Sequence, residues 1–135
     1  MQEITLPSPL AIAQKNMRDY LRSHDARYVT DDAVFINKAT GERFEGRETI
    51  GKMLQFFYHI AFDAHAEPSH VLVTEDRAVT EGLFIGKHIG EFAGIPATGK
   101  IVSVPLCVTY NLENGLIKEA RIYMMGDVLI RQLQS

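Results

Sequence analysis

"SVPLCVTYNLENGLIKEARIYMMGD", residues 103–127, decides the fold. Apolar and polar residues alternate on both sides of Asn114-Gly115, and both turn residues tolerate positive φ. The stretch therefore reads as an antiparallel hairpin with a two-residue loop. With that loop Tyr110 faces Glu119, Val108 faces Arg121, Leu106 faces Tyr123 and Val104 faces Met125. One face then carries these eight residues, and the other carries Ser103, Pro105, Cys107 and Thr109 beside Ala120, Ile122 and Met124. The first face has the larger apolar groups and is the expected core face. Its carboxylate, guanidinium and phenol need partners or water there. Two readings stay open: a hydrated cavity under the helices, or a Glu119–Arg121 pair at a wet sheet rim.

Upstream, "AHAEPSHVLVTED" and "RAVTEGLFIGKHIG" also have a period of two, so four strands, mostly antiparallel, are expected from Asp63 onward. Before them the period is helical. Residues 1–7 read as a loose arm, and Ser8-Pro9 as N-cap and first helical position. Leu10, Ala13, Met17, Tyr20 and Leu21 give that helix one apolar face. "SHDARYVTDD" leaves room for a turn or two of second helix before the strand "AVFIN", and "RFEG" pairs back on it. "GRETIGKMLQFFYHIAF" is the strongest helical pattern, with Ile50, Met53, Leu54, Phe57 and Ile60 as its stripe. Three helical segments followed by a curved sheet make an α+β layout in one domain, 1–135.

Lys+Arg 14 against Asp+Glu 17 gives a net charge of −3, so no basic surface points to nucleic acid. No apolar run reaches membrane-spanning length and the first residues lack a secretory pattern, so a cytoplasmic protein is expected. The lone Cys107 sits in a valine-rich strand and reads as a filler. No histidine or carboxylate pair has zinc-type spacing, so no metal is expected. "GEFAGIPATGK" is glycine-rich but lacks the ending of a phosphate loop and reads as a strand connection.

"GKHIGEFAGIPATGKIV" at 86–102 and "GLIKEARIYMMGDVLIRQL" at 115–133 resemble the SnoaL-like polyketide cyclase family of the NTF2-like superfamily. The residues that carry the resemblance are Gly86, His88, Gly90 and Phe92, then Gly94-Ile95-Pro96 and Thr98-Gly99-Lys100, then Arg131-Gln132-Leu133. It implies an NTF2-like (cystatin-like) cone: N-terminal helices packed on a bent antiparallel sheet, around a deep apolar pocket. It further implies a cofactor-independent cyclase or isomerase, and a homodimer through the outer sheet face at Cys107, Ile122 and Met124. Relatives carry an acid/base aspartate two residues after the closing strand's aromatic; counting back from Gln132-Leu133, that position is Met125 here.

The chemistry therefore has to come from elsewhere. Removing a proton beside a carbonyl needs a base and a donor for the oxyanion. Arg121 and Tyr123 are the expected pair to polarise a carbonyl, with His59 as base if it turns inward, and Asp127 as an outside candidate. His59 also reads as a solvent-facing residue at the end of its helix. Met17, Tyr20, Phe35, Phe57, Tyr58, His88, Leu106, Val108, Glu119 and Met125 are the expected pocket wall. His88 has a second reading, as the residue that fixes its loop. His24, His65 and His70 read as surface or strand-edge residues. Two functions follow from the resemblance. One is an enzyme acting on a bulky apolar carbonyl compound of polyketide, terpenoid or steroid type. The other is a non-catalytic binder with the same pocket; a scaffold with a filled pocket is a third class.

Overall fold

The structure, a computed structural model, describes residues 6–135, so most of the expected N-terminal arm, residues 1–5, lies outside the described residues. Helix α1 (Pro9–Ser23) begins at the expected cap, where Ser8 Oγ accepts the Ala11 N–H at 3.1 Å. Ala13, Met17 and Tyr20 form its buried face. The second helix shrinks to one 3₁₀ turn, Ala26–Tyr28, before strand β1 (Val29–Asn37) and the short β2 (Arg43–Glu45). Helix α2 (Arg47–Gln55) runs on into a π turn, Phe56–Ile60. Ile50, Met53 and Leu54 are buried as their spacing requires. The wider turn then shifts the stripe by one residue: Tyr58 and Ala61 go inside, while Ile60 is 54% exposed.

Strands β3 (Phe62–Val73), β4 (Arg77–His88), β5 (Ile101–Glu113) and β6 (Leu116–Met124) follow, and helix α3 (Gly126–Gln134) ends the chain. The sheet order is β2-β1-β6-β5-β4-β3. The four long strands β3 to β6 run antiparallel to one another, as expected, and the one parallel pairing is between β1 and β6, so the sheet as a whole is mixed. The three-residue β2 forms one edge and β3 the other. β3 carries Pro68 at its register break, and Pro is tolerated at a sheet edge because it has no ladder N–H to offer. Gly82 opposes that break, where a Cβ would stand 2.2 Å from the Glu67 carbonyl oxygen; only glycine lets the strands approach so closely.

The hairpin turn forms as read. Asn114 and Gly115 both have positive φ, and Glu113 pairs with Leu116 and Leu112 with Ile117. Helix α1 lies over it, with Asn16 Nδ2 donating to the Gly115 carbonyl at 2.9 Å. One pair further on the register breaks: Asn111 pairs with Glu119, which leaves Lys118 as an extra residue. A bulge of one residue sends every later side chain to the opposite face. Val108 therefore faces Ile122, Leu106 faces Met124 and Tyr110 faces Ala120. The inward row of β5 is as expected, but on β6 it is Ala120, Ile122 and Met124 that look under the helices. Glu119, Arg121 and Tyr123 lie on the outer face, and Met125, beyond the strand, is 53% exposed at the start of α3. Of the three residues expected on the outer face, only Cys107 is there, opposite Tyr123.

Helix α3 has no counterpart in the strand reading. β6 stops pairing at Leu106, so the backbone of β5 beyond that point needs another partner. Gln132 supplies it: its Oε1 accepts the Ser103 N–H and its Nε2 donates to the Ser103 carbonyl, both at 2.8 Å. Lys100 Nζ donates to the Leu133 carbonyl at 3.1 Å and to Ser135, satisfying the helix C-terminus. Leu129 and Leu133 are buried beneath it.

Gly82→Ala should cost about 2–4 kcal/mol, since the clash is with backbone that has nowhere to move. Urea unfolding checks it: an unchanged midpoint would show that the β3–β4 approach is not tight.

Candidate active site

Between the helices and the concave sheet face lies a cavity of about 90 Å³. Its walls are mainly apolar: Phe35, Met53, Leu54, Phe57, Leu106, Val108, Ile122 and Met124 are among them. Asn37, Glu67 and Glu81 also line it. Deeper in, Tyr20, His24, Tyr58, Thr80 and Tyr110 bring polar groups into the same space.

Each of these five is placed by a local feature. His24 ends α1 in the left-handed conformation, φ 48° and ψ 41°, and its N–H caps the Tyr20 carbonyl at 2.6 Å. That backbone is strained for a non-glycine residue, and such strain persists where surrounding packing holds it. Here the packing is aromatic. The imidazole stacks on the Tyr58 ring at 4.0 Å and 18°, and meets the Tyr20 ring edge-on at 5.0 Å. Tyr58 reaches the imidazole because the π turn has rotated it inward. Tyr110 projects from β5, 6.2 Å from Tyr20 ring to ring, with its hydroxyl beside Thr80 of β4.

Burial sets the electrostatics. It pulls the His24 imidazole from 6.5 down to about 4, and nearby His59 adds a smaller push in the same direction. Burial raises the Tyr20, Tyr58 and Tyr110 phenols, so all three stay protonated donors. The cavity thus holds a neutral imidazole of carboxylate-like basicity among hydroxyl donors. That arrangement suits taking a proton from a carbon acid and holding the resulting oxyanion.

The expected pocket residues divide cleanly. Tyr20, Phe35, Phe57, Tyr58, Leu106 and Val108 line the cavity. Met17 is buried in the core and lines a neighbouring groove. His88 is fully buried outside the cavity wall. Its Nδ1 accepts the Thr98 N–H at 3.1 Å and lies 2.9 Å from Thr98 Oγ1, which ties the 89–100 loop to β4. Glu119, Arg121, Tyr123 and Met125 are not in the cavity, for the reason of register given above. Each nitrogen of the Arg121 guanidinium has a partner on the outer face, Thr109 (2.8 Å), Glu119 (2.7 Å) and Asn111 (2.8 Å), so the rim reading of this pair is the one that forms. Asp127 sits exposed in the first turn of α3, paired with Arg131 at 3.2 Å. His59 stays exposed on the π turn.

Tyr110 was expected on the inward face but not as a pocket residue, Thr80 was not singled out, and His24, expected at the surface, instead lines the cavity because the α1 cap turns it onto Tyr58. His24 had a signal: it continues the buried row Ala13, Met17, Tyr20 by four residues, one more turn of the same face. Among the described residues no group of three or more His, Cys, Asp or Glu is placed to hold a metal ion, and no helix is long and apolar enough to cross a membrane.

Comparison with known proteins agrees with this architecture. Residues 13–133 match the family SnoaL-like polyketide cyclase. No curated protein matches the chain. Among solved structures, a SnoaL-like protein of Jannaschia sp. CCS1 superposes with a TM-score of 0.82 at 17% identity, covering 98% of this chain and 99% of that one. A phenazine biosynthesis-related protein of Pseudomonas aeruginosa gives 0.78 at 16%, covering 93% and 87%. A protein of ketosteroid isomerase-like fold from Catenulispora acidiphila, in complex with trimethylamine, gives 0.71 at 15%, covering 96% and 95%. At these identities the likeness establishes a shared fold.

A lowered imidazole pKa means that the unfolded chain binds more protons than the folded one between about pH 4 and 6.5. Stability from His24 is therefore complete above pH 6.5 and is lost as the pH falls toward 4, by an amount on the order of 1–3 kcal/mol. His24→Asn, which tolerates the left-handed cap, should remove that part of the slope in urea titrations at pH 4 to 7. Identical slopes would mean that the imidazole is not buried in solution.

Proposed function

Because this chain belongs to the SnoaL-like polyketide cyclase family, we propose that it performs cofactor-independent proton transfer on an apolar carbonyl compound held in this cavity. The observation that carries the reading is the neutral His24 stacked on Tyr58 inside an apolar wall. His24 takes the proton next to the carbonyl. The C–H electron pair moves onto the carbonyl oxygen, where Tyr58 or Tyr110 donates a hydrogen bond to the enolate. The imidazolium then returns the proton to another carbon, in an isomerisation, or to the alkoxide formed when the enolate closes a ring. An imidazole near pKa 4 is as basic as an ordinary aspartate, so the lack of an acid on the inward row Ala120, Ile122, Met124 is no obstacle.

The small volume sharpens the substrate. A cavity of about 90 Å³ lies below the roughly 300–1,000 Å³ of pockets for drug-sized ligands. A bulky multi-ring guest fits only if Met53 and Met124 re-pack or the guest extends through the mouth. A second reading, a binder without turnover, draws support from that same inward row of β6, which carries no ionisable group. Assembly as a homodimer through the convex face rests now on Val79, Leu83 and Tyr123, all at least 36% exposed, with Cys107.

β-Tetralone, a two-ring ketone with acidic α-protons, separates the readings. The protein should speed deuterium exchange at its α-carbon above buffer, and His24→Gln should remove about a hundredfold of that rate. Tyr58→Phe should lower it about tenfold. Bound ketone with no exchange above buffer would favour the binder. For assembly, Leu83→Asp should convert dimer to monomer in light scattering; a dimer that survives the charge would move the contact elsewhere.

A further inference from the structure

Beside the cavity, helix α1 and edge strand β3 enclose an open groove of about 620 Å³. Leu21, Ala66 and Pro68 line both spaces, so groove and cavity share a wall at Pro68. The groove floor is apolar, with Met17, Val71 and Val73, but its helix side is a row one turn apart: Gln14, Arg18 and Arg22. Among the described residues neither arginine has an ion-pair partner. Asp19, the acid on the helix, hydrogen-bonds Lys15 at 2.8 Å and feels Arg18 and Arg22 only through weaker, longer-range attraction. His65, across the groove, lies 3.8 Å from Glu67.

Two exposed guanidiniums without an ion pair therefore flank an apolar floor. Helix-dipole stabilisation accounts for a cation in the last turn, which Arg22 occupies, but not for Arg18 a full turn earlier. Guanidiniums recognise planar and tetrahedral oxyanions through paired N–H donors. We infer that the groove holds the acidic group of the cavity's own ligand: the substrate is an amphiphile, with an apolar carbonyl-bearing ring against His24 and a carboxylate, sulfate or phosphate tail on Arg18 and Arg22. This rests on the cavity being the ligand site, and it adds what that reading leaves open, the substrate's charge and the direction in which it enters. It also fits the small cavity, because only the reacting ring needs to be enclosed.

Two dyes with one ring system test it: anilinonaphthalene sulfonate, and phenylnaphthylamine, which lacks the sulfonate. Fluorescence titration should find the sulfonate about tenfold tighter, the difference shrinking with added salt. Arg18→Gln with Arg22→Gln should bring the two dyes within about twofold, leaving phenylnaphthylamine affinity and β-tetralone exchange unchanged. Equal affinities in the unaltered protein, or a sulfonate preference that survives the double substitution, would overturn the inference. The cavity reading has its own readout: Leu106→Trp should fill the cavity and abolish phenylnaphthylamine binding, whatever the arginines do.

Discussion

Lys118 is the residue on which the interior depends. It has no partner across the hairpin, and it separates two stretches of β6 that are each well paired. Because side chains alternate strictly along a strand, one inserted residue exchanges the two faces of everything that follows. Ala120, Ile122 and Met124 thereby go under the helices, and Glu119, Arg121 and Tyr123 go out, where Arg121 hydrogen-bonds Thr109, Glu119 and Asn111. Without the bulge a guanidinium and a carboxylate would be forced into an apolar space, which costs several kcal/mol unless every donor is met. The bulge relieves that conflict and leaves the β6 side of the cavity apolar.

The mainly apolar wall in turn sets the electrostatics of His24. An imidazole at a helix end in water titrates near neutrality; stacked on Tyr58, edge-on to Tyr20 and beside apolar walls, its pKa is pulled down to about 4 by burial. The same desolvation keeps the tyrosines protonated and strengthens any hydrogen bond they give. Three local departures from regular structure converge there: the left-handed cap at His24, the π turn that rotates Tyr58, and the strand break that Gly82 accommodates. Irregular backbone costs stability, so its concentration around one small cavity is what a working site predicts.

Outside that cavity the structure is closed by polar substitutes for missing strand partners. Gln132 stands in for a strand beside Ser103, Lys100 caps α3, and His88 holds Thr98. These three residues belong to the motifs that mark the family resemblance. Their contacts explain the motifs by backbone satisfaction, with no part in catalysis required.

The sequence by itself determined the α+β class, the four long strands, the Asn114-Gly115 turn, the α1 cap and the inward row of β5. Each rests on short-range physics: a period of two or of 3.6, a capping hydroxyl, a turn needing positive φ. It also contained two signals for what was misread. Lys118 and Glu119 are consecutive polar residues between Ile117 and Ala120, which is a break in phase, and His24 extends the buried row of α1. The tertiary structure alone decided the parallel β1–β6 pairing, the docking of α3, the inward turn of Tyr58 and the meeting of His24 with Tyr110 and Thr80. Those depend on contacts between residues far apart in the chain, whose energies pick among local conformations that differ by only about 1 kcal/mol. A period read along one strand cannot reveal which neighbour will absorb an extra residue.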